Sequence, residues 1–324
     1  MKGSPFSALP RGFLLFLLIL RLPCLLYGQE PAGSRFALIP EDPRLGDPVT
    51  VIYAGAPGQG MKAVLLDTGG RRLSQAFFFS LPGDGGEDSV KAAVLAVPST
   101  AKPGPAIIRV EGENGKNAAG IPLVLGGREF LAEEIYLDQE NTDIRTRPDP
   151  QKNIETAQLS AILFRTGGDI FSGGPFTAPV TSTRRTGFFG DRRIFRYADG
   201  SRDTSIHAGI DYGVPRGTPV RACASGRVVL ARFRIVTGYS VVIEHFPGTY
   251  SLYYHLDKIQ VEEGALVEGG TQLGESGATG LATGPHLHWE IRVAGENTDP
   301  DAFIARPVLD KEAILDKINK VAVF

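Results

Sequence analysis

Cysteine is almost absent from this sequence, and its scarcity excludes a disulfide framework. The 324 residues contain two cysteines, Cys24 and Cys223. Cys24 lies in a predicted leader segment, so removal of that segment leaves one thiol without a partner. Cys223 lies among small residues at the end of an apolar strand pattern, and we interpret it as a buried, unreactive thiol. The mature chain is therefore expected to depend on a large hydrophobic core.

A strong net charge and a glutamate-based zinc motif are also missing. The formal net charge is −2, and basic residues do not alternate with aromatic ones along any stretch. Nucleic acid is therefore not expected as a partner. The sequence contains no HExxH motif. This absence excludes the helical glutamate base that such motifs supply, so any proton transfer has to depend on other side chains.

Long apolar runs are missing outside the N-terminus. Lys2 belongs to a basic start that precedes the apolar run 13–20, and Arg21 separates this run from a second one that ends before Gly28. The interrupted stretch is short for a membrane helix, which needs about 20 apolar residues. A basic start, a short apolar centre and a small residue at the end are typical of a secretory signal. We predict a signal peptide over residues 1–28.

The predicted signal places the protein in the periplasm or cell envelope. An uncleaved segment would instead act as an anchor, and the protein would contact the membrane only in that case. A lipid anchor at Cys24 is disfavoured, because Arg21-Leu22-Pro23 is a poor match to the motif that precedes lipid-modified cysteines. Other envelope proteins are conceivable partners.

Glycine and proline are plentiful, with 40 and 23 residues, while long helical patterns are few. This composition favours short strands separated by turns. The fold class is therefore predicted to be mainly β, with antiparallel sheets. Asp149-Pro150 predicts a helix that runs to about Phe164, because aspartate suits the N-cap and proline the first helical position. The predicted organisation is a signal peptide (1–28), a small immunoglobulin-like β-sandwich (35–125), a linker with one helix (126–185), a second β-rich domain (186–305) and a C-terminal helix (306–324).

Histidine is confined to the second β-rich domain. The five histidines are His207, His245, His255, His286 and His288. His207 and Asp211 stand four residues apart beside glycines, which favours a turn or short strand on which both side chains converge. His286 and His288 alternate, so on a strand they share one face about 6.5 Å apart. Two histidines and one aspartate satisfy the ligand count of a catalytic zinc site, with the other histidine beside the open position.

A group that manages protons is needed beside such a metal. His255, in Leu-Tyr-Tyr-His-Leu, is the natural second contributor next to His286. His245 is interpreted as a buried structural histidine. Glu290 shares the strand face of the alternating histidines and is either a group that supports a ligand or a solvated carboxylate. Tyr253 is expected to pack, with substrate contact as the alternative.

At these residues the chain resembles the lysostaphin/LytM-type zinc endopeptidases, which cut peptide cross-links in bacterial cell walls. The matching stretches are HAGIDYGVPRGTPVRACASGRVV, YSVVIEHFPGTYSLYYHL and GESGATGLATGPHLHWEI, in that order. The resemblance covers residues 188–303 and includes the FGDRR segment. One departure is Tyr239-Ser240, where relatives commonly carry Gly-Asn; this alters the groove edge and leaves the metal residues in place.

The resemblance implies a groove-bearing antiparallel sheet and a role for each matching residue. His207, Asp211 and His288 match the zinc ligands, and His255 and His286 match the catalytic histidines that do not bind the metal. The implied function is a secreted zinc metallo-endopeptidase that hydrolyses peptide bonds in peptidoglycan cross-links or stem peptides.

Two other functions stay open at the level of sequence. One is a non-enzymatic regulator that uses the same fold to activate a cell-wall hydrolase, and the other is a peptidase for a protein outside the wall. The presence of all five residues favours the enzyme. The segment 167–185 directly precedes the second β-rich domain, and whether it covers the site is also left open.

Overall fold

The structure is a computed structural model. It describes residues 34–55, 60–81, 90–112, 117–165 and 168–321. The predicted signal peptide with Cys24 lies outside these ranges. So do residues 56–58, 82–86 and 113–115, whose glycines, prolines and polar residues predict turns between strands. Within them, no helix has the length and apolar character needed to cross a membrane.

Two antiparallel sheets form the N-terminal part of the molecule. Their strands are β1 (Arg35–Ile39), β2 (Pro48–Ala54), β3 (Lys62–Asp67), β4 (Arg72–Phe77), β5 (Phe79–Ser80), β6 (Val90–Ala96), β7 (Gly104–Glu111) and β8 (Asn117–Leu125). The strand orders are β1-β2-β6-β5 and β4-β3-β7-β8, as in immunoglobulin-type sandwiches. Alternation places Val49 and Val51 of β2 in the core between the sheets, while Ile52 and Ala54 face the rest of the molecule.

The segment that follows contains more regular structure than predicted. It includes β9 (Ala132–Tyr136), α1 (Gln139–Thr146) and α2 (Pro150–Leu163). The predicted helix after Asp149 is confirmed, since the Asp149 side chain accepts a hydrogen bond of 2.8 Å from the backbone N–H of Gln151. The prediction of a linker with one helix is wrong, because α1 and β9 are also present. Helix α1 is short and polar and buries Asn141 and Thr142, so it has no apolar periodicity to reveal it.

The C-terminal part is built on one large sheet. Its strands are β10 (Arg185–Gly187), β13 (Ile210–Tyr212), β14 (Pro219–Arg221), β15 (Gly226–Arg234), β16 (Gly238–Phe246), β17 (Thr249–Ile259), β18 (Leu266–Val267), β19 (Gln272–Ser276), β20 (Leu287–Val293) and β21 (Glu296–Thr298), while β11 (Arg192–Arg196) and β12 (Arg202–Ile206) lie outside this sheet. The main order is β10-β13-β20-β17-β16-β15-β18. The fold class, mainly β with antiparallel sheets, is confirmed.

A third, three-stranded sheet has the order β12-β11-β9, in which β9 runs parallel to β11. The chain ends with α3 (Pro300–Ala305) and α4 (Lys311–Asn319). Helix α4 packs Ile314 and Ile318 into a core that also contains Ile52 and Ala54 of the sandwich and Trp289 of the large sheet. The N-terminal and C-terminal parts therefore share one continuous apolar core.

Candidate metal centre and groove

The pairing of β13 with β20 sets the centre of the site. Asp211 stands directly opposite His288 in this register, so both side chains emerge on the same face. His207 lies in the turn between β12 and β13, where its backbone N–H donates to the Asp191 carbonyl at 2.9 Å. The structure thus brings together three residues that lie up to 81 positions apart in the chain.

The three side chains converge on one point. Asp211 Oδ1 lies 2.7 Å from His288 Nδ1 and 3.1 Å from His207 Nε2. The two imidazole nitrogens are 3.0 Å apart. All three residues are buried, and together they form a group able to hold a metal ion.

The opposite end of each side chain is also held. His207 donates its Nδ1–H to the Phe188 carbonyl at 2.8 Å, so its Nε2 carries the lone pair. His288 donates its Nε2–H to Glu290 Oε1 at 3.0 Å, which presents Nδ1 to the centre. Asp211 Oδ2 accepts a hydrogen bond of 2.6 Å from Arg193. Outer partners of this kind fix the tautomer and orientation of metal ligands.

The electrostatics of the centre favour a cation. Burial alone would raise the pKa of Asp211, but His288 and His207 hold it well below its usual range. Burial also opposes ionisation of Glu290, yet Arg292 and His288 lower its pKa to about 2. Burial disfavours protonated His288, but Asp211 and Glu290 outweigh it and raise its pKa to about 9. Without metal, a proton on Nδ1 therefore occupies the place between two acceptors that a metal cation would take.

The separations fit a tetrahedral metal after a small expansion. Ligands bound to zinc at about 2.0–2.2 Å lie roughly 3.4 Å from one another. The three donor atoms, separated by 2.7–3.1 Å, would need to move apart by about half an ångström. Two imidazoles and one carboxylate are ligands that zinc accepts, and this set leaves a fourth position open.

Two further histidines flank this group. The His255 and His286 rings lie 4.8 Å apart. Each donates its Nδ1–H to a backbone carbonyl at 2.8 Å, His255 to Thr279 and His286 to Gly284, so each Nε2 carries a lone pair. Burial, followed by the neighbouring histidines, lowers the pKa of His255 to about 3. Burial also lowers the pKa of His286. Both rings are neutral at pH 7, and each has an unprotonated Nε2.

A groove of about 590 Å³ is lined by Asp211 and four of the histidines, His207, His255, His286 and His288. One side of it is formed by Glu133 and Ile135 of β9 with Arg193 and Phe195 of β11, and loop residues 281–285 line it as well. Tyr254 also lines the groove, and its ring stacks on His288 with a centroid separation of 5.6 Å. The groove therefore brings the histidine centre together with apolar and charged side chains.

The sequence left open whether the segment 167–185 covers the site. Its residues 168–183 do not line the groove. Phe176 packs against Phe303 at 5.2 Å and against His245 at 4.6 Å, within the core on the opposite face of the large sheet. Arg184, at the end of the segment, lines the groove edge. Of the described residues before β10, those of β9 and Leu137 contribute to the groove lining together with Arg184.

Other predictions are settled by burial. His245 is fully buried and donates its Nδ1–H to the Ser225 carbonyl at 2.8 Å, which confirms a structural histidine. Cys223 is buried, as predicted, and burial raises the pKa of its thiol to about 11. Tyr253 is fully buried on the core face, so packing is confirmed and substrate contact was wrong. Glu290 supports His288.

Sequence reasoning missed Arg193, Tyr254 and Glu133. Arg193 belongs to the FGDRR segment, which matched relatives but received no role. On a regular strand Tyr253, and not Tyr254, would share the sheet face of His255. The backbone irregularity at His255 changes this alternation, so Tyr254 lies on the groove face instead. Glu133 lies more than 70 residues before the histidines it accompanies, and no local pattern links them.

A histidine–carboxylate centre on the face of an antiparallel sheet, beside neutral imidazoles and a groove, has the composition of a metal-dependent hydrolase. Comparison with known proteins makes the class specific. The model of peptidase family M23 matches residues 205–300. A crystal structure of a putative peptidase M23 from Pseudomonas aeruginosa superposes with a TM-score of 0.55 at 25% identity, covering 81% of this chain and 94% of that chain.

Two curated relatives match part of the chain. The DD-carboxypeptidase/endopeptidase Mpg of Neisseria meningitidis serogroup B is 39% identical over 128 residues, which are 40% of this chain and 29% of that protein. The peptidoglycan DD-endopeptidase ShyA of Vibrio cholerae serotype O1 is 45% identical over 89 residues, which are 28% of this chain and 21% of that protein. The match thus spans less than a third of either relative. Residues 205–300 form a peptidase family M23 domain, as predicted from the LytM-type resemblance.

Proposed function

We propose that this protein is an exported zinc metallo-endopeptidase that hydrolyses peptide bonds in peptidoglycan cross-links or stem peptides. The observation that carries the proposal is the convergence of His207 Nε2, Asp211 Oδ1 and His288 Nδ1, within 3.1 Å of one another. The names of the two curated relatives support peptidoglycan as the substrate. The predicted signal supports a place in the periplasm or envelope.

The proposed zinc ligands are His207, Asp211 and His288. When bound there, zinc would polarise the scissile carbonyl and make water acidic enough to be a nucleophile near neutral pH. The protein's own groups prepare this chemistry. Phe188 and Glu290 fix the two imidazoles so that the correct nitrogens face the centre.

His255 and His286 are the proposed proton carriers. Both are neutral, and each holds its Nδ1–H on a backbone carbonyl, so Nε2 is the basic atom. One such nitrogen can accept a proton during attack, and the resulting imidazolium can donate to the developing oxyanion or to the leaving amine. Tyr254, stacked on His288, lines the groove beside them.

The remaining domain assignments are proposals of the same kind. Residues 35–125 are an immunoglobulin-like domain, residues 186–305 are the metallopeptidase domain, and residues 306–324 end the chain with a helix. The sandwich supports the groove-bearing sheet and limits how substrates approach it. Peptidoglycan peptides are the proposed partner.

The test separates metal binding from chemistry. The purified chain should contain about one zinc per molecule and release soluble fragments from peptidoglycan, and a chelator should abolish this release until zinc is restored. His288→Ala should lose both metal and activity. His286→Ala should keep the metal and lose about 10²–10⁴-fold in rate.

Three outcomes would overturn the proposal. Zinc binding without cleavage of peptidoglycan would support the regulator instead. Cleavage that persists in a chelator would exclude the metal mechanism. Cleavage of unrelated proteins with peptidoglycan left intact would move the substrate outside the wall.

A further inference from the structure

The second oxygen of Asp211 contacts a partly buried chain of ion pairs that leads away from the proposed metal centre. Arg193 Nη2 donates to Asp211 Oδ2 at 2.6 Å, and Arg193 Nε donates to Glu133 Oε1 at 2.6 Å. The Arg193 and Asp211 side chains are 15% and 8% exposed. A charge-assisted contact this short and this buried holds its partners more firmly than a surface pair does.

The backbone makes room for this contact. Gly187 of β10 stands opposite Asp211 in the strand register. A Cβ at this position would lie 2.4 Å from Arg193 Nη2 and 2.7 Å from Asp211 Oδ2. Any side chain at residue 187 would therefore displace the guanidinium or the carboxylate.

The geometry divides the two oxygens of Asp211 between two tasks. Oδ1 faces His207 and His288, while Oδ2 is held by Arg193. A carboxylate without the second contact could rotate about χ2 or bind a metal through both oxygens. The planar guanidinium, with donors in a fixed fork, prevents this rotation.

Glu133 completes the arrangement from outside the catalytic sheet. A lone guanidinium next to a metal would repel it, but Glu133 offsets that charge. Strand β9 carries Glu133 and pairs in parallel with β11, with Glu133 directly opposite Arg193. Strand β9, which precedes the family M23 match at residues 205–300, is therefore connected to the proposed metal centre through Arg193.

We propose that Arg193 is a positioning residue that holds the ligand Asp211 through Oδ2, and that Glu133 on β9 fixes Arg193 in turn. The inference rests on the proposed function, since it presumes that Asp211 binds zinc.

The test measures zinc affinity directly, by competition with a chromophoric chelator, on the metal-free chain. Arg193→Met should weaken zinc binding about 10–100-fold, the usual effect of losing an outer partner of a ligand. Arg193→Lys should recover part of this loss, because an ammonium can donate to Oδ2 but cannot reproduce the fork. Glu133→Gln should weaken binding about threefold or more, because the Arg193 guanidinium loses its second anchor.

The matched control lies on the same two strands. Arg196 and Glu134 form an ion pair of 2.6 Å between β11 and β9, but neither residue lines the groove. Arg196→Met should leave the zinc dissociation constant within about twofold of the parent, as expected for an exposed pair. Equal weakening in both arginine variants would show that strand pairing, and not positioning of Asp211, sets the affinity.

The outcomes separate this inference from the proposed function. A parent chain that binds zinc and cleaves peptidoglycan, with Arg193→Met at unchanged affinity, overturns the inference alone. A parent chain that binds no zinc overturns both. If Arg193→Met does not fold, Glu133→Gln decides, and parent-like zinc affinity in that variant rejects the inference.

Discussion

His255 occupies an unusual backbone conformation for a histidine. Its φ is 61°, in the left-handed region, and this conformation costs residues that have a Cβ about 1–2 kcal/mol. The register of β17 shifts around this residue, and its backbone N–H donates to the Thr237 carbonyl at 2.9 Å. This local departure from a regular strand turns the ring toward His286.

The strain can be measured by comparing two substitutions that both remove the imidazole. We expect the free energy of unfolding of His255→Gly, measured in urea, to exceed that of His255→Ala by about 1 kcal/mol. Glycine adopts this φ without cost, whereas alanine does not. Both variants should lose about 10²–10⁴-fold in peptidoglycan hydrolysis. An alanine variant as stable as the glycine variant would contradict the strain.

His245 should make stability depend on pH. Burial lowers its pKa from 6.5 to about 4, so between these values the unfolded chain binds a proton that the folded chain does not. Stability therefore falls as pH decreases from 6.5 to 4, by about 3 kcal/mol from this residue alone.

The measurement is urea unfolding of the metal-free protein from pH 7.5 to pH 4. His245→Asn lacks a titrating group, so its stability should fall less over this interval than that of the parent chain, whatever its stability at pH 7.5. Parallel pH profiles for the two proteins would refute the assignment.

Residue types and spacing predicted the members of the site better than its connections. The proposed ligands come from two short sequence windows, His207 to Asp211 and His286 to His288, and the structure brings His207, Asp211 and His288 to one point. The roles of these residues remain proposals. The contact of Arg193 with Asp211 depends on a turn and on sheet pairing, which spacing along the chain does not encode.

At the scale of elements, the register of β13 against β20 aligns Asp211 with His288. Gly209, just before β13, makes this close approach feasible, because a Cβ there would lie 2.0 Å from the Trp289 carbonyl oxygen. Backbone atoms cannot rotate away as the end of a side chain can. The sheet itself would have to open.

Gly209→Ala should therefore destabilise the fold by more than about 2 kcal/mol and weaken zinc binding, since it separates β13 from β20. Thermal unfolding and chelator competition report the two effects. Gly174→Ala is the matched control, because a Cβ there would meet nothing within 4 Å among the described residues. A Gly209→Ala protein with parent-like melting and zinc affinity would show that the strands tolerate the added methyl group.

Elements with strong local signals were predictable, and elements formed by tertiary contacts were not. Helix α2 has an N-cap aspartate followed by proline, and its start was predicted correctly. The apolar pattern of residues 266–273 is typical of one strand, but the structure has two short strands there, β18 and β19, because Gly270 adopts a φ of 87° between them. Strand β9 has mostly exposed or half-buried residues, and its pairing with the distant β11 stabilises it.

At the scale of the whole molecule, the sandwich and the large sheet are joined by buried contacts. Thr50 donates to the Val308 carbonyl at 2.8 Å. Arg128 forms ion pairs with Asp47 of the sandwich, at 2.8 Å, and with Asp299 before α3. Together with the shared core, these contacts predict that the two parts unfold together.

Calorimetry should show one unfolding transition, with equal calorimetric and van't Hoff enthalpies. Fluorescence of Trp289, the single tryptophan of the sequence, reports on the large sheet and should change together with far-ultraviolet circular dichroism. Arg128→Met should lower the stability by about 1–3 kcal/mol and keep a single transition. Two resolved transitions in the parent chain would show that the parts fold independently.

The packing of α4 against β1 and β2 also sets an order in time. Ile314 and Ile318, close to the end of the chain, cover the face of the first sheet that carries Ile52 and Ala54. Strands β1 and β2 are far from α4 in the sequence, and contacts between such distant elements form slowly. Until α4 docks, Ile52 and Ala54 are uncovered on that side, so the partly folded protein exposes an apolar sheet face on which aggregation can begin.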